Sequence, residues 1–306
     1  MAHIYDQVFF RDKIVPLEQA NLSVASSAVL YGLSVYTVFP ISLNDKGQLV
    51  AFRLEEHFKR LLDSSRIIGI DTFEKEWNYD RFLEAIKSLV AATNLSEKVF
   101  VRVTVHVDAL VPGTKSRGLS TALSMFFYEA LSILPSDGAR LKTSVWRRIP
   151  DYAIPSRAKV NGAYVNSVLA KQDALDSGYD DCIFLDTQGH VCELSAANIF
   201  IVRDGKLITP DTTNDLLEGI NRRTVLEIAQ DLGIHTVERA VDLTELYIAD
   251  EAFACGTSAS LTTIKEVDAR HIGNNVTPLT DKLRKLHADV ISGNDPKYAG
   301  WSTLLN

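Results

Sequence analysis

Residues 156–200 read SRAKVNGAYVNSVLAKQDALDSGYDDCIFLDTQGHVCELSAANIF. A lysine, Lys159, opens a short polar link containing Gly162, and Tyr164 follows. Apolar residues at Val165, Val168, Leu169 and Leu175 then fall at helical spacing, and Gly178 ends the run. Two strand-like runs come next, Cys182 to Leu185 and Val191 to Leu194, split by the turn residues Thr187, Gln188 and Gly189. The second run carries Glu193, an acid in an otherwise apolar strand. An amine that can form an imine, a phenol close behind it and a half-buried carboxylate suggest chemistry on a pyridine aldehyde.

Working outward, 306 residues suffice for one large domain or two ordinary ones. The 46% apolar and 23% charged fractions are those of a globular protein that needs no lipid. A net charge of −7 argues against a nucleic-acid or anionic-membrane surface. The cysteines Cys182, Cys192 and Cys255 form no CxxC and no disulfide framework, and no metal site is expected. No secretory signal is visible in MAHIYDQVFF, and no apolar run approaches the roughly 18 residues that span a membrane. The expected setting is the cytoplasm.

Residues 1–52 read as short strands and turns, with Tyr31 and Tyr36 flanking a bend at Gly32. From Arg53 to Ile70 a helix is expected, burying Leu54, Phe58, Leu61 and Leu62. Arg53, His57 and Arg60 form a second stripe on it, by default a solvated basic edge. Tyr79 to Ala92 is a further amphipathic helix. In KVFVRVTVHVD, Val99, Val101, Val103 and Val105 alternate with Phe100, Arg102, Thr104 and His106. An arginine on an inner strand face needs an anion or a carboxylate partner.

Asp108 to Ser120 is a loop by its Pro and Gly content, followed by a strand from Ala122 to Tyr128. Residues 131–140 read as a linker between a smaller domain (1–130) and a larger one (141–306). In the larger part, Asp204-Gly205 makes a hairpin turn, Gly219 precedes a helix, and Gly256-Thr257-Ser258 a turn. Free N–H groups at a helix start form a ready phosphate seat. Thr277 to Ser292 is a last helix, with Leu279, Leu283, Leu286 and Val290 facing in. The final stretch, DPKYAGWSTLLN, carries no pattern.

HxxR, KxxGxYVNS, Glu193 with Asn198 and Phe200 downstream, LEGI and GTS occur together and in this order. The set resembles the fold-type IV pyridoxal-phosphate enzymes, the class IV aminotransferases, and among them the branched-chain amino acid aminotransferases. The resemblance covers about 28–264 and implies an α+β protein: two α/β domains like those of D-amino-acid aminotransferase, with the active site between them. It implies pyridoxal 5'-phosphate on Lys159, Tyr164 at the ring oxygen and Glu193 at the ring nitrogen. Arg60, Gly219, Ile220, Asn221, Gly256 and Thr257 would serve the phosphate, with Asn198 supporting that wall. Tyr31, Tyr36, Phe100, Arg102, Thr257 and Ser258 would face the substrate.

The implied activity transfers an amino group from a branched-chain or related amino acid to 2-oxoglutarate by a ping-pong route, in a homodimer. The partners are an amino donor and a 2-oxo acid, with no nucleic acid or membrane. Several positions depart from the resembled pattern. Thr37, Val38, Phe39 and Pro40 stand where Glu-Gly and a basic residue are usual, and Phe100 stands for a tyrosine. Asn221 replaces a threonine, and SAAN replaces SGEN. Three alternatives therefore stay open: an aminotransferase for D-amino acids or (R)-amines, a lyase similar to aminodeoxychorismate lyase (suggested by SRGLS and CELSAAN), and a cofactor-binding protein without catalysis.

Overall fold

A computed structural model describes residues 2–111, 113–274 and 276–305. The chain divides into two compact units: Met1–Leu131 with Ala158–Gly162 and Val290–Asn306, and Ser132–Arg157 with Ala163–Asp289. Mixed helix and strand in two units agree with the α+β expectation.

The first unit is built on a seven-stranded antiparallel sheet. Its order is Ser302–Leu304, Leu49–Phe52, Ser34–Leu43, Val99–Val107, Thr121–Glu129, Gln7–Phe10, Lys13–Pro16. Val99–Val107 sits inside it, and the alternation sets its register: Val99, Val101, Val103 and Val105 are all 0% exposed. The helices Leu54–Ile67 and Tyr79–Thr93 cover this unit's core, with the Phe58 and Phe82 rings 4.9 Å apart. Asn78 starts the second helix by accepting the Arg81 N–H, and Asn94 ends it in the left-handed region. Each buried phenylalanine contributes about 1.5–3 kcal/mol of transfer free energy.

The second unit curls its sheet into a ring: Asn198–Arg203, Glu251–Gly256, Ser260–Val267, Ala139–Thr143, Asp181–Leu185 and Val191–Leu194. The ring closes where Glu193 pairs with Asn198. Lys206–Thr209 and Thr236–Glu238 extend it, the former after a turn whose residues Asp204 and Gly205 both have positive φ. That is the two-residue geometry matching strand twist. Ile183, Leu194, Ile199, Ala254 and Ile264 are among the side chains that fill the interior.

Three readings of the sequence need correction. The contiguous division at 141 does not hold. Residues 158–162 join the first unit because the Lys159 carbonyl accepts the Tyr36 N–H at 3.0 Å. The unpatterned tail joins it too, because Ser302–Leu304 pairs with Leu49–Phe52. The 131–140 linker is partly structural, since Ala139–Thr143 is a strand of the ring. The helix Tyr164–Asp176 forms as expected, and its apolar stripe faces outward: Val165 and Val168 are each 64% exposed. Its buried side is Asn166, Ser167, Ala170 and Ala174, small residues that let the helix approach the Cys182–Phe184 strand closely. Pro112, one basis of the 108–120 loop reading, lies outside the described residues.

Candidate active site

In the first unit the lysine is fixed through its backbone. Its N–H donates to Ser64 Oγ at 3.1 Å, and the Ser64 hydroxyl donates to the Arg60 carbonyl at 2.8 Å. Val160 bridges Val35. Gly162 lies against Gly32, where an added Cβ would come within 2.9 Å of the Gly162 Cα. These ties bring Lys159 Nζ to 4.8 Å from the centroid of the buried Tyr36 ring. The Arg102 guanidinium lies 3.8 Å from the same centroid.

Arg102 is half-buried and donates to Asn161 Oδ1 at 2.6 Å; among the described residues no carboxylate pairs with it. Phe100, on the same strand face, is buried against Tyr128 and contributes no hydroxyl. His106 is held down to about 4, first by burial and then by the charge of Arg102, with Asp108 opposing.

The basic stripe of the first long helix is not a solvated edge. Arg53 is 4% exposed and stacks 3.7 Å from the Trp301 ring while pairing with Glu56. His57 is 1% exposed and bonds Thr37 Oγ1 at 2.8 Å. Arg60 donates to the same hydroxyl at 3.1 Å, so its guanidinium is aimed back at the strand that carries Tyr36. Tyr31 ends the short helix Ser27–Tyr31, is exposed, and accepts the Gly113 N–H at 2.9 Å from the 108–120 loop.

In the second unit Glu193 is buried and held from three sides. Arg148 pairs with it at 3.0 Å, Asn198 Nδ2 donates at 3.2 Å, and the Leu217 N–H donates at 3.3 Å. Asn198 also donates to the Leu217 carbonyl at 2.9 Å, tying the strand to the start of the next helix. Gly219 is that helix's N-cap, and no side chain caps it. Ile220 and Asn221 thus begin a helix with unsatisfied N–H groups and a favourable dipole for an anion. Asn221 Nδ2 donates to Thr257 Oγ1 at 3.3 Å, and its Oδ1 meets His287 Nε2 at 3.0 Å. Gly256, Thr257 and Ser258 follow the strand Glu251–Gly256, and Tyr164 opens its helix.

Each unit by itself holds groups of the kind pyridoxal phosphate needs: in the first a lysine beside an aromatic ring and a guanidinium, in the second a buried carboxylate and a helix start without a side-chain cap. Both glycines leave room. A Cβ at Gly219 would fall 2.1 Å from Asn198 Oδ1, and one at Gly256 would press on the Ala196 carbonyl at 3.3 Å.

The sequence did not single out Arg148, Ser64, Asn161, Ser34 or His287. Asn161, two residues after the lysine, was the one with a signal to follow. The others sit in loops and helices where nothing in the pattern marks them.

An amine, cations and a buried acid are the groups that an enzyme handling amino groups on pyridoxal phosphate requires. The family model for class IV amino-transferases matches residues 34–267, and the chain belongs to that family. It is 35% identical over 296 residues to the probable branched-chain-amino-acid aminotransferase of Synechocystis sp., covering 96% of this chain and 95% of that one. Identity to the Aquifex aeolicus counterpart is 36% over 302 residues, covering 97% and 96%.

Among solved structures, the branched-chain aminotransferase of Thermoproteus uzoniensis with norvaline superposes with a TM-score of 0.94 at 34% identity, covering 99% of this chain and 100% of that one. The T.th. branched-chain amino acid aminotransferase complexed with N-(5'-phosphopyridoxyl)-L-glutamate gives 0.91 at 33%, covering 99% of each. The fold-type IV expectation and the enzyme class stand. No helix among the described residues is long and apolar enough to cross a membrane.

Proposed function

We propose that this transaminase moves the amino group of a branched-chain or related amino acid to 2-oxoglutarate in a ping-pong cycle, acting in the cytoplasm as a homodimer. The observation that carries the reading is Arg102. It lies over the ring that Lys159 also approaches, and among the described residues no carboxylate neutralises it. A half-buried cation beside a reactive amine suits a substrate that brings its own carboxylate. The related structures with norvaline and with a phosphopyridoxyl-glutamate adduct support the same class.

Pyridoxal phosphate, when bound, supplies an electron sink for the charge left on the donor Cα. Lys159 would hold the cofactor covalently and, once displaced, carry the proton at the donor Cα; its amine lies 4.8 Å from the Tyr36 ring centroid. Glu193, kept in place by Arg148 and Asn198, would face the ring nitrogen, and Tyr164 the ring oxygen. Arg60, the N–H groups of Ile220 and Asn221, and Thr257 would hold the phosphate, with Gly219 and Gly256 giving it room. Tyr31, Tyr36, Phe100, Arg102, Thr257 and Ser258 are the proposed substrate contacts.

A second copy of the chain is supported by the outward apolar stripe of Val165, Val168 and Leu169, with Val145 and Trp146 also exposed. Sedimentation at micromolar concentration tests it, and an active monomer overturns it.

The alternative donors are separated by adding each candidate amine to the loaded protein and following the cofactor spectrum. A shift with (R)-amines but not with leucine, valine or glutamate would reverse the reading. Release of pyruvate without an amino acceptor would indicate the lyase. Arg117 of the SRGLS segment is exposed, and Gly118 is anchored by donating its N–H to Asp71 at 2.7 Å. Borohydride reduction and peptide mapping test the attachment itself, with the adduct expected on Lys159.

A further inference from the structure

We propose that Asn161 is a positioning residue for substrate carboxylate recognition, acting by clamping Arg102; this rests on the reading of Arg102 given above. A guanidinium offers only donors, so the amide atom facing Arg102 must be the oxygen. The 2.6 Å contact from Arg102 Nη2 to Asn161 Oδ1 is therefore a directed bond. It leaves the amide nitrogen pointing the other way, where it donates to the buried Ser34 Oγ at 2.7 Å. Ser34 fixes the amide, the amide fixes one edge of the guanidinium, and Tyr36 supports its face at 3.8 Å.

A neutral oxygen at this position matters. It holds the arginine without cancelling its charge, which a carboxylate would do. Arg102 would otherwise have several rotatable bonds and no ionic partner among the described residues, so an incoming carboxylate would bear the cost of ordering it. The clamp removes that cost before binding. Asn161 also lies two residues from Lys159, on a segment whose backbone is bonded to Tyr36 and Ser64. The anion receiver and the amine are thereby indexed to one piece of backbone in one unit, which is what in-register presentation of an amino acid requires.

The test is steady-state kinetics of the cofactor-loaded protein and of N161A, N161D and S34A, with glutamate as donor to a monocarboxylic 2-oxo acid and leucine as donor to 2-oxoglutarate. For N161A, KM for each carboxylate substrate rises about tenfold while kcat changes less than about threefold. N161D, isosteric but charged, raises KM further than N161A does, because it neutralises Arg102 where N161A only loosens it. S34A moves in the same direction with a smaller effect, and it serves as the test if N161A does not fold.

The proposal is overturned if kcat falls with KM unchanged or if N161D behaves like the wild type. A wild type that turns over no carboxylate substrate at all would instead overturn the functional reading and the clamp with it. An active wild type with unaffected variants overturns the clamp alone.

Discussion

Glu193 and Arg148 form an ion pair of 3.0 Å in which the side chains are only 7% and 13% exposed, respectively. Neither charge has ready access to water, so each is tolerable because the other is present. The pair also shows why a strand otherwise made of Val191, Cys192 and Leu194 accepts an acid: arginine, asparagine and a backbone N–H all converge on it. Arg148→Met should leave a buried carboxylate without its counter-charge and cost about 3–5 kcal/mol of folding stability. Urea denaturation checks this, and an unchanged midpoint would mean that the pair is not closed in solution.

Glu193→Gln keeps the shape but not the charge. The proposed contact with a protonated ring nitrogen then loses its electrostatic basis, and kcat should fall by about 10²–10³-fold. Cofactor content, read from absorbance, should fall far less. A variant with near-normal kcat would remove Glu193 from the proposed chemistry.

Where a physical pattern repeats along the chain, the sequence made it readable. Val99 to Val105 alternate because one face of their strand is wholly buried, and Leu54, Phe58 and Leu61 recur at helical spacing for the same reason. In the helix after Lys159 the buried side is made of Ala170, Ala174, Asn166 and Ser167, which carry little hydrophobic signal, while its apolar stripe faces outward. Ser302–Leu304 is a strand only because Leu49–Phe52 lies beside it, and three residues have no period to detect. Lys159, Arg60, Tyr164 and Glu193 were legible as a resemblance in motif order. The side chains that hold Lys159, Arg102 and Glu193, namely Ser64, Asn161 and Arg148, act over sequence separations of 95, 59 and 45 residues, respectively, and a linear pattern does not encode that.

Gly219 is required for lack of a side chain rather than for a special φ. Its backbone is extended, at φ −67 and ψ 134, yet a Cβ would sit 2.1 Å from Asn198 Oδ1. That amide cannot swing aside cheaply, since it is buried and bonded to both Glu193 and the Leu217 carbonyl. Gly219→Ala should therefore cost about 1–3 kcal/mol of stability by overpacking and weaken cofactor binding in an apoprotein titration. Equal cofactor affinity in the variant would show that the Asn198 wall tolerates displacement.

Asn221 stands where the resembled pattern has threonine, and its amide replaces one hydroxyl contact with a relay from Thr257 to His287. All three groups lie in the second unit, and His287 is 2% exposed. His287→Ala leaves the Asn221 oxygen buried without that partner, a loss of about 1–3 kcal/mol. If the relay orients the Thr257 hydroxyl for phosphate, pyridoxal phosphate should bind the variant several-fold more weakly while pyridoxal, which lacks the phosphate, binds as before. A loss of affinity equal for both would make His287 a packing residue only.

His106 gives the chain an acid-side dependence whose sign is fixed. Its folded-state value is lowered from 6.5 to about 4, because burial and the Arg102 charge both disfavour the imidazolium. Between those two values the unfolded chain binds a proton that the folded chain refuses, so stability falls as pH drops through this window and is unaffected by this group above it. The full effect is at most about 3 kcal/mol. His106→Asn keeps a polar partner for Ser124, which bonds the imidazole at 2.9 Å, and removes the titration. Denaturation midpoints at pH 7, 5.5 and 4.5 should drop for the wild type and drop less for the variant. Parallel curves would assign the acid sensitivity to carboxylates elsewhere, such as Asp71, which a Gly118 N–H and Lys75 hold below the usual carboxylate range.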